Sequence, residues 1–138
     1  LEGYNKEPRQ YYRVMNSAEL RELAASSYIE IGSHGITHSR LSSQNHEEQI
    51  REIEESKKIL ETIINKKIAS FSYPFGTHED IGSTLPKMVK QVGYSVATAN
   101  FPSLVTKHSD HLMLPRYLVR NWDGMFFRHK LKQWLNGR

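Results

Sequence analysis

The sequence contains no cysteine, which excludes disulfides, thiolate catalysis and cysteine-ligated zinc. Any metal centre therefore has to be built from histidine, aspartate and glutamate. Aspartate is itself scarce: Asp80, Asp110 and Asp123 are the only three, and no two are adjacent. No apolar run approaches the about 18 residues that a membrane-spanning helix needs, so no integral membrane segment is expected. No charged-then-apolar leader opens the chain. It starts at Leu1 without an initiator methionine, and the expectation is that an N-terminal part precedes it.

What is present is enough for one folded domain. The 138 residues are 38% hydrophobic and 25% charged, a balance that fits a globular protein and not a disordered one. The net charge of +4 is local in origin. From Pro115 onward Arg116, Arg120, Arg128, Lys130, Lys132 and Arg138 face only Asp123. Such a segment could touch nucleic acid or anionic lipid; a solvated helix face explains it more simply, and no nucleic-acid partner is expected.

Residues 1–13 lack periodicity and read as loop. Asn16-Ser-Ala-Glu19 is a capping box opening a helix to about Ala25, followed by a short strand over residues 28–32 that ends at Ser33-His34. Asn45-x-x-Glu48 is a second capping box. The helix behind it has Ile50, Ile53, Lys57, Leu60 and Ile64 on one stripe, the lysine stem covering apolar surface. A strand over residues 68–73 stops at Pro74 and Gly76, and residues 77–83 read as polar loop. Thr84 is expected to cap a helix with Pro86 in its first turn and Gly93 past its end. Strands over residues 94–98 and 112–119 follow, and Asp123 caps a last helix bearing Phe126, Phe127, Leu131, Trp134 and Leu135. Strands alternating with helices predict an α/β fold with a parallel sheet. In such folds the functional site lies at the carboxyl ends of the strands. His34 and Tyr73-Pro-Phe-Gly76 should therefore share one rim.

Two segments carry candidate chemistry. His34-Gly-Ile-Thr-His38 places two imidazoles where a chain curling through about one helical turn brings both to one cation. Gly35 permits such a curl directly after a strand. Two ordinary surface histidines would show the same spacing. Phe71-Ser-Tyr-Pro-Phe-Gly76 ends a strand in rigid aromatic surface, where the Phe75 amide can serve as an oxyanion donor. A buried aromatic cluster beside a turn is the plainer reading.

Together these segments resemble the polysaccharide deacetylases, the family of the NodB homology domain. Glu30-Ile-Gly-Ser-His34-Gly-Ile-Thr-His38 is similar to the family's second motif, H-[ST]-x-x-H, with Gly35 in the Ser/Thr slot. A helix with Glu52 and Ser56-Lys57 follows, and then Phe71-Ser-Tyr-Pro-Phe-Gly76, similar to the third motif. The resemblance runs from about Val14 to Leu135, so residues 1–138 are expected to be one deacetylase-like domain lacking its N-terminal part. It implies a partial, distorted (β/α) barrel and metal-dependent hydrolysis of an acetyl group on a polysaccharide or oligosaccharide, N-acetyl before O-acetyl. That reaction belongs to a bacterial hydrolase of carbohydrate metabolism cleaving C–N bonds other than peptide bonds. Carried over, His34 and His38 would be metal ligands, with zinc expected first and cobalt, nickel or manganese as alternatives. Phe75 would supply the oxyanion N–H, and Tyr73 and Pro74 would line the groove for an acetylated glycan. Family members are often secreted or held at the cell surface.

The departures are specific. The first motif, T-F-D-D-G, which supplies the general base and a third ligand, has no counterpart here. Ser72 stands where the third motif opens with Arg, and no late Leu-x-His is evident. Leu114-Pro-Arg116 resembles a branch of the family that ends in an L-P-R strand. There Arg116 would either orient a carboxylate and bind substrate or pair at the surface. His108 and His111 read as solvated loop residues. The resemblance thus leaves two readings: an incomplete and inactive piece of a deacetylase, or a non-catalytic carbohydrate-binding remnant of the same fold.

Overall fold

The computed structural model describes residues 13–136; the loop expected over residues 1–13 falls almost wholly outside the described residues, as does Arg138. The chain divides into two compact units, residues 1–30 and 31–138. The first carries helix α1 (Ser17–Ala25). Its capping box is complete, with the Asn16 side chain accepting from the Ala18 and Glu19 N–H groups and Glu19 returning to the Asn16 N–H. Arg13 forms an ion pair with Glu19.

The second unit is built on a short parallel ladder. Strands β1 (Ser70–Ser72) and β2 (Val96–Thr98) pair in parallel, with Phe71 opposite Ala97. Single parallel bridges extend the ladder on both sides, Ser33 to Phe71 and Thr98 to Leu114. Four extended segments thus run the same way in the order 33, β1, β2, 114. Helix α2 (His46–Ile64) connects Ser33 to β1. Helices α3 (His78–Ile81) and α4 (Leu85–Gln91) connect β1 to β2. The result is a small open sheet flanked by helices, a partial and distorted (β/α) barrel.

Period-two alternation decides which residues form the core. Phe71 and Ala97 are buried at the centres of their strands, and Ser70, Ser72, Val96 and Thr98 are half-buried. Phe71 packs edge-on against Tyr73 and beside Tyr94, each with ring centroids 5.3 Å away. Ile53 of α2 and Leu85, Met88 and Val89 of α4 close this core. The Lys57 stem lies where the helical pattern puts it. Its ammonium donates to the Gly93 carbonyl at 2.8 Å and sits 4.3 Å from the Tyr94 ring centroid. Burial pushes its pKa down.

Four expected features differ. The strand over residues 28–32 is not formed: pairing is confined to Ser33, whose N–H donates to Ser70 O and whose carbonyl accepts from Ser72 N–H. Pairing over residues 112–119 likewise reduces to Leu114. Both segments lie at the margins of the ladder, where alternation alone brings no second partner. The polar loop over residues 77–83 contains α3, started by Thr77 and Asp80 in a reciprocal cap; aspartate in place of the usual glutamate hid it. Thr84 makes no side-chain cap and is already helical, at φ −95° and ψ −43°.

The last helix, α5 (Gly124–Leu135), starts as expected, with the Asp123 side chain accepting from Phe126 N–H. Its apolar stripe, however, contains no buried residue. The helix rests instead on an aromatic contact, Trp134 stacked on Tyr117 with centroids 4.3 Å apart.

The α2 cap offers a stability test remote from the rim. The Asn45 side chain accepts from Glu48 N–H at 3.0 Å. Asn45→Ala should lower unfolding stability by about 1 kcal/mol in chemical denaturation, with the surroundings of the His34 ring unchanged by NMR.

Candidate functional site

The parallel ladder brings four strand ends to one rim, where a cavity of about 400 Å³ is lined by His34, His38, Tyr73, Phe75, Asn100, Arg116, Tyr117 and Leu118. His34 and Phe75 therefore do share an edge. Both histidines are exposed, with ring centroids 4.8 Å apart at an interplanar angle of 67°. His34 Nδ1 lies 2.6 Å from the Ser72 carbonyl. A carbonyl oxygen only accepts, so Nδ1 carries a proton, and in the neutral ring Nε2 keeps its lone pair. This is the outer hydrogen bond that metal-ligating histidines commonly make.

The segment between the histidines is held from below. Glu52 on α2 is 1% exposed. Its Oε2 accepts from the N–H groups of Ile36 at 2.7 Å and Thr37 at 3.0 Å, and its Oε1 from the Thr37 hydroxyl at 2.8 Å. Burial pushes this carboxyl upward, but the hydrogen bonds from Thr37 and Ile36, with Arg51 nearby, outweigh it and hold the pKa below the ordinary value. Gly35 is at φ +80°, and a Cβ there would lie 3.0 Å from Glu52 Oε2. Glycine fits this position on both counts. His38 itself has a positive φ of 57°.

The opposite wall turns just as sharply. Phe75 has φ 61°, a left-handed conformation costing about 1–3 kcal/mol in a non-glycine residue. Gly76 follows at φ +70°, its N–H donating to the Pro74 carbonyl and its own carbonyl accepting from Asn100 N–H, both at 2.7 Å. The Phe75 ring lies 5.3 Å from the His38 ring. On it rests the Arg40 guanidinium, 4.6 Å from the centroid, itself ion-paired with the buried Asp80. Tyr73 lines the cavity but is mostly buried, its hydroxyl donating to the Leu112 carbonyl at 2.8 Å; burial, with Asp110 adding, pushes its pKa up. Pro74 is fully buried and is not among the lining residues. Arg116 reaches the rim with its Nε donating to the Ala99 carbonyl at 2.8 Å.

The sequence reading missed Asn100, Tyr117 and Leu118 in the lining, and the supports Glu52, Arg40 and Asp80. Asn100 was within reach, because it lies shortly past the strand expected over residues 94–98, as Phe75 lies past its own. Tyr117 and Leu118 fell inside the strand expected over residues 112–119, which hid their place at the rim. Glu52 had a fainter signal, a carboxylate directly before Ile53 of the buried stripe.

As a metal centre the rim is half furnished. The His34–His38 pair suits two ligand positions of a borderline cation such as zinc. No group of three His, Cys, Asp or Glu that could hold an ion occurs among the described residues. Asp80 is engaged by Arg40 and Thr77, Asp110 caps the Leu112 N–H, and Asp123 caps α5.

The family model for polysaccharide deacetylase matches residues 6–97, more than half of the chain. The chain belongs to the polysaccharide deacetylase family. Among solved structures, a polysaccharide deacetylase from Bacillus cereus is 25% identical at a TM-score of 0.66, over 78% of this chain and 33% of its own. The Streptococcus pyogenes deacetylase PplD, solved in complex with acetate, gives a TM-score of 0.69 at 17% identity, over 78% of this chain and 46% of its own. The deacetylase domain of BpsB from Bordetella bronchiseptica gives 0.62 at 19% identity, over 86% of this chain and 56% of its own. The chain thus spans about a third of the Bacillus protein's length. No functionally curated protein gives a significant match. Ser72, which the sequence resemblance places in an arginine slot, carries the His34 hydrogen bond on its carbonyl.

The tautomer of His34 is directly testable. In its neutral form, long-range ¹⁵N–¹H correlation spectra should show Nδ1 protonated and Nε2 bare. Protonation at Nε2 instead would remove the Ser72 hydrogen bond and, with it, the lone pair that a metal would need.

Proposed function

We propose that residues 1–138 are part of a single catalytic domain of a metal-dependent deacetylase acting on an acetylated glycan. The observation that carries this reading is the His34–His38 pair, the first ring oriented by the Ser72 carbonyl, facing Phe75 across one cavity. His34 and His38 would hold a divalent metal, zinc before cobalt, nickel or manganese. Bound there, it would supply Lewis-acid polarisation of the acetyl carbonyl. The Phe75 backbone N–H is assigned to the carbonyl oxygen as negative charge develops on it. Phe75 and Arg116 are assigned to the glycan, the exposed aromatic face meeting sugar C–H surface and the guanidinium meeting hydroxyl or acetyl oxygen, while Tyr73, buried behind them, would shape the groove. Pro74 contributes by fixing the turn that presents Phe75.

Water attack on an amide needs a base, and no described residue at the rim fills that role. Asp80, Asp110 and Asp123 are committed elsewhere. The base and the third ligand are assigned to polypeptide outside these 138 residues, where the family's Asp-Asp strand belongs. The same lack supports the second reading, a glycan-binding remnant without chemistry.

Acetate release from acetylated sugar oligomers, assayed with several divalent metals, separates the two readings. The 138-residue chain should stay at background, because a positioned base contributes about 10²- to 10⁴-fold in rate. A chain extended upstream through an Asp-Asp strand should turn over, and His34→Ala or His38→Ala in it should abolish that activity. Turnover by the short chain would show that the base has been misplaced. An extended chain silent on every acetylated glycan would favour the binding remnant. Zinc should bind the short chain weakly, and tight stoichiometric binding that survives His34→Ala would contradict the ligand assignment.

A further inference from the structure

Glu52 stands out among the buried groups because its helix does not need it. It sits beside Ile53 on α2, 1% exposed, and the carboxylate hydrogen bonds described above run to the segment between the histidines, not to its own helix. Removing a carboxylate from water costs several kcal/mol unless hydrogen bonds replace its hydration. Here the compensating donors are the amides of Ile36 and Thr37 and the Thr37 hydroxyl. All three belong to the span between His34 and His38. That span is otherwise exposed, with Ile36 42% accessible, so little packing holds its shape. It also contains two residues with positive φ, Gly35 at 80° and His38 at 57°, which an unrestrained loop would relax.

We infer that Glu52 is the positioning residue of the rim: its carboxylate, buried under the Gly35–His38 turn, sets the two imidazoles at their mutual distance. The assignment rests on the reading of His34 and His38 as a ligand pair, but the geometry it claims needs neither metal nor substrate. One end of the pair is fixed by the sheet, since His34 follows Ser33 in the ladder and donates to Ser72. The other end, His38, has no such anchor in the ladder and depends on the turn. Glu52 supplies what the turn lacks, two convergent acceptors at its centre. The close approach of Oε2 to Gly35, where a Cβ would come within 3.0 Å, accounts for glycine in a slot where the family motif has Ser or Thr.

Glutamine and methionine at position 52 distinguish positioning from packing. Both match glutamate in length. Glutamine can accept both amides through its oxygen and donate to the Thr37 hydroxyl through its NH₂, whereas methionine fills the space without accepting from either amide. In the metal-free 138-residue chain, NMR should show a ring-to-ring Overhauser effect between His34 and His38. The Ile36 and Thr37 amides should exchange more slowly than free loop amides by about tenfold or more, the factor expected of a hydrogen bond to a charged acceptor. Glu52→Gln should keep the ring contact and part of the protection. Glu52→Met should lose both while its thermal unfolding remains cooperative. Retention of the ring contact in Glu52→Met, or its loss in Glu52→Gln as well, would overturn the inference. Should Glu52→Met not fold, the wild-type exchange rates decide, because unprotected Ile36 and Thr37 amides contradict the inference on their own. None of these results depends on acetate release, so the positioning role and the deacetylase reading can fail separately.

Discussion

Everything at the rim depends on the parallel ladder. Because Ser33, β1, β2 and Leu114 all run the same way, their carboxyl ends emerge together. Residues separated by up to 84 positions in the chain, His34 and Leu118, then border one cavity. An antiparallel arrangement of the same segments would alternate the ends and scatter the site. Parallel pairing needs long crossovers, which α2, α3 and α4 provide. Those helices also bury Phe71 and Ala97, so the hydrophobic core and the placement of the rim come from the same pairing.

The ladder sets where the chain turns, and buried carboxylates set how it turns. Glu52 lies beneath the histidine segment and Asp80 beside the aromatic one. Asp80 caps α3 and pairs with Arg40, and Arg40 in turn rests on Phe75. The Phe75 ring meets His38, so the two walls of the cavity touch through this sequence of contacts. Each carboxylate would be costly if unpaired in the interior, and its donors belong to residues that a purely apolar core would leave loose. The strained backbone at His38 and Phe75 persists because such partners over-determine it.

The departures from the family motifs have a local consistency. Ser72, in the arginine slot of the third motif, uses its carbonyl to orient His34. Arg116, at the end of the Leu114 segment beyond β2, brings a guanidinium to the same cavity and is held by the Ala99 carbonyl. A guanidinium thus reaches the cavity from the Leu114 segment and not from β1. What remains absent among the described residues is a third metal-ligating group beside the two histidines.

The sequence by itself determined the α/β class, the parallel sense of the sheet and the shared rim of His34 and Phe75. The two asparagine capping boxes, the Lys57 stem along the buried stripe and the strand-end positions of His34 and Phe75 follow from local rules, because caps and periodicity act over a few residues. The lengths of the outer strands, the short helix at His78–Ile81 and the exposed apolar stripe of α5 did not follow. Pairing at a sheet margin and burial of a helix face depend on what lies opposite, and no local pattern encodes that. Only the tertiary structure decided that Glu52 faces inward beneath the histidines and that Asn100, Arg116 and Tyr117 reach the same cavity. Their contacts close across 15 residues or more of chain, Glu52 to Thr37 and Arg116 to Ala99 among them. Such contacts arise from the register of Phe71 against Ala97 and from the seat of α2 on the sheet, and neither is a property of any single segment.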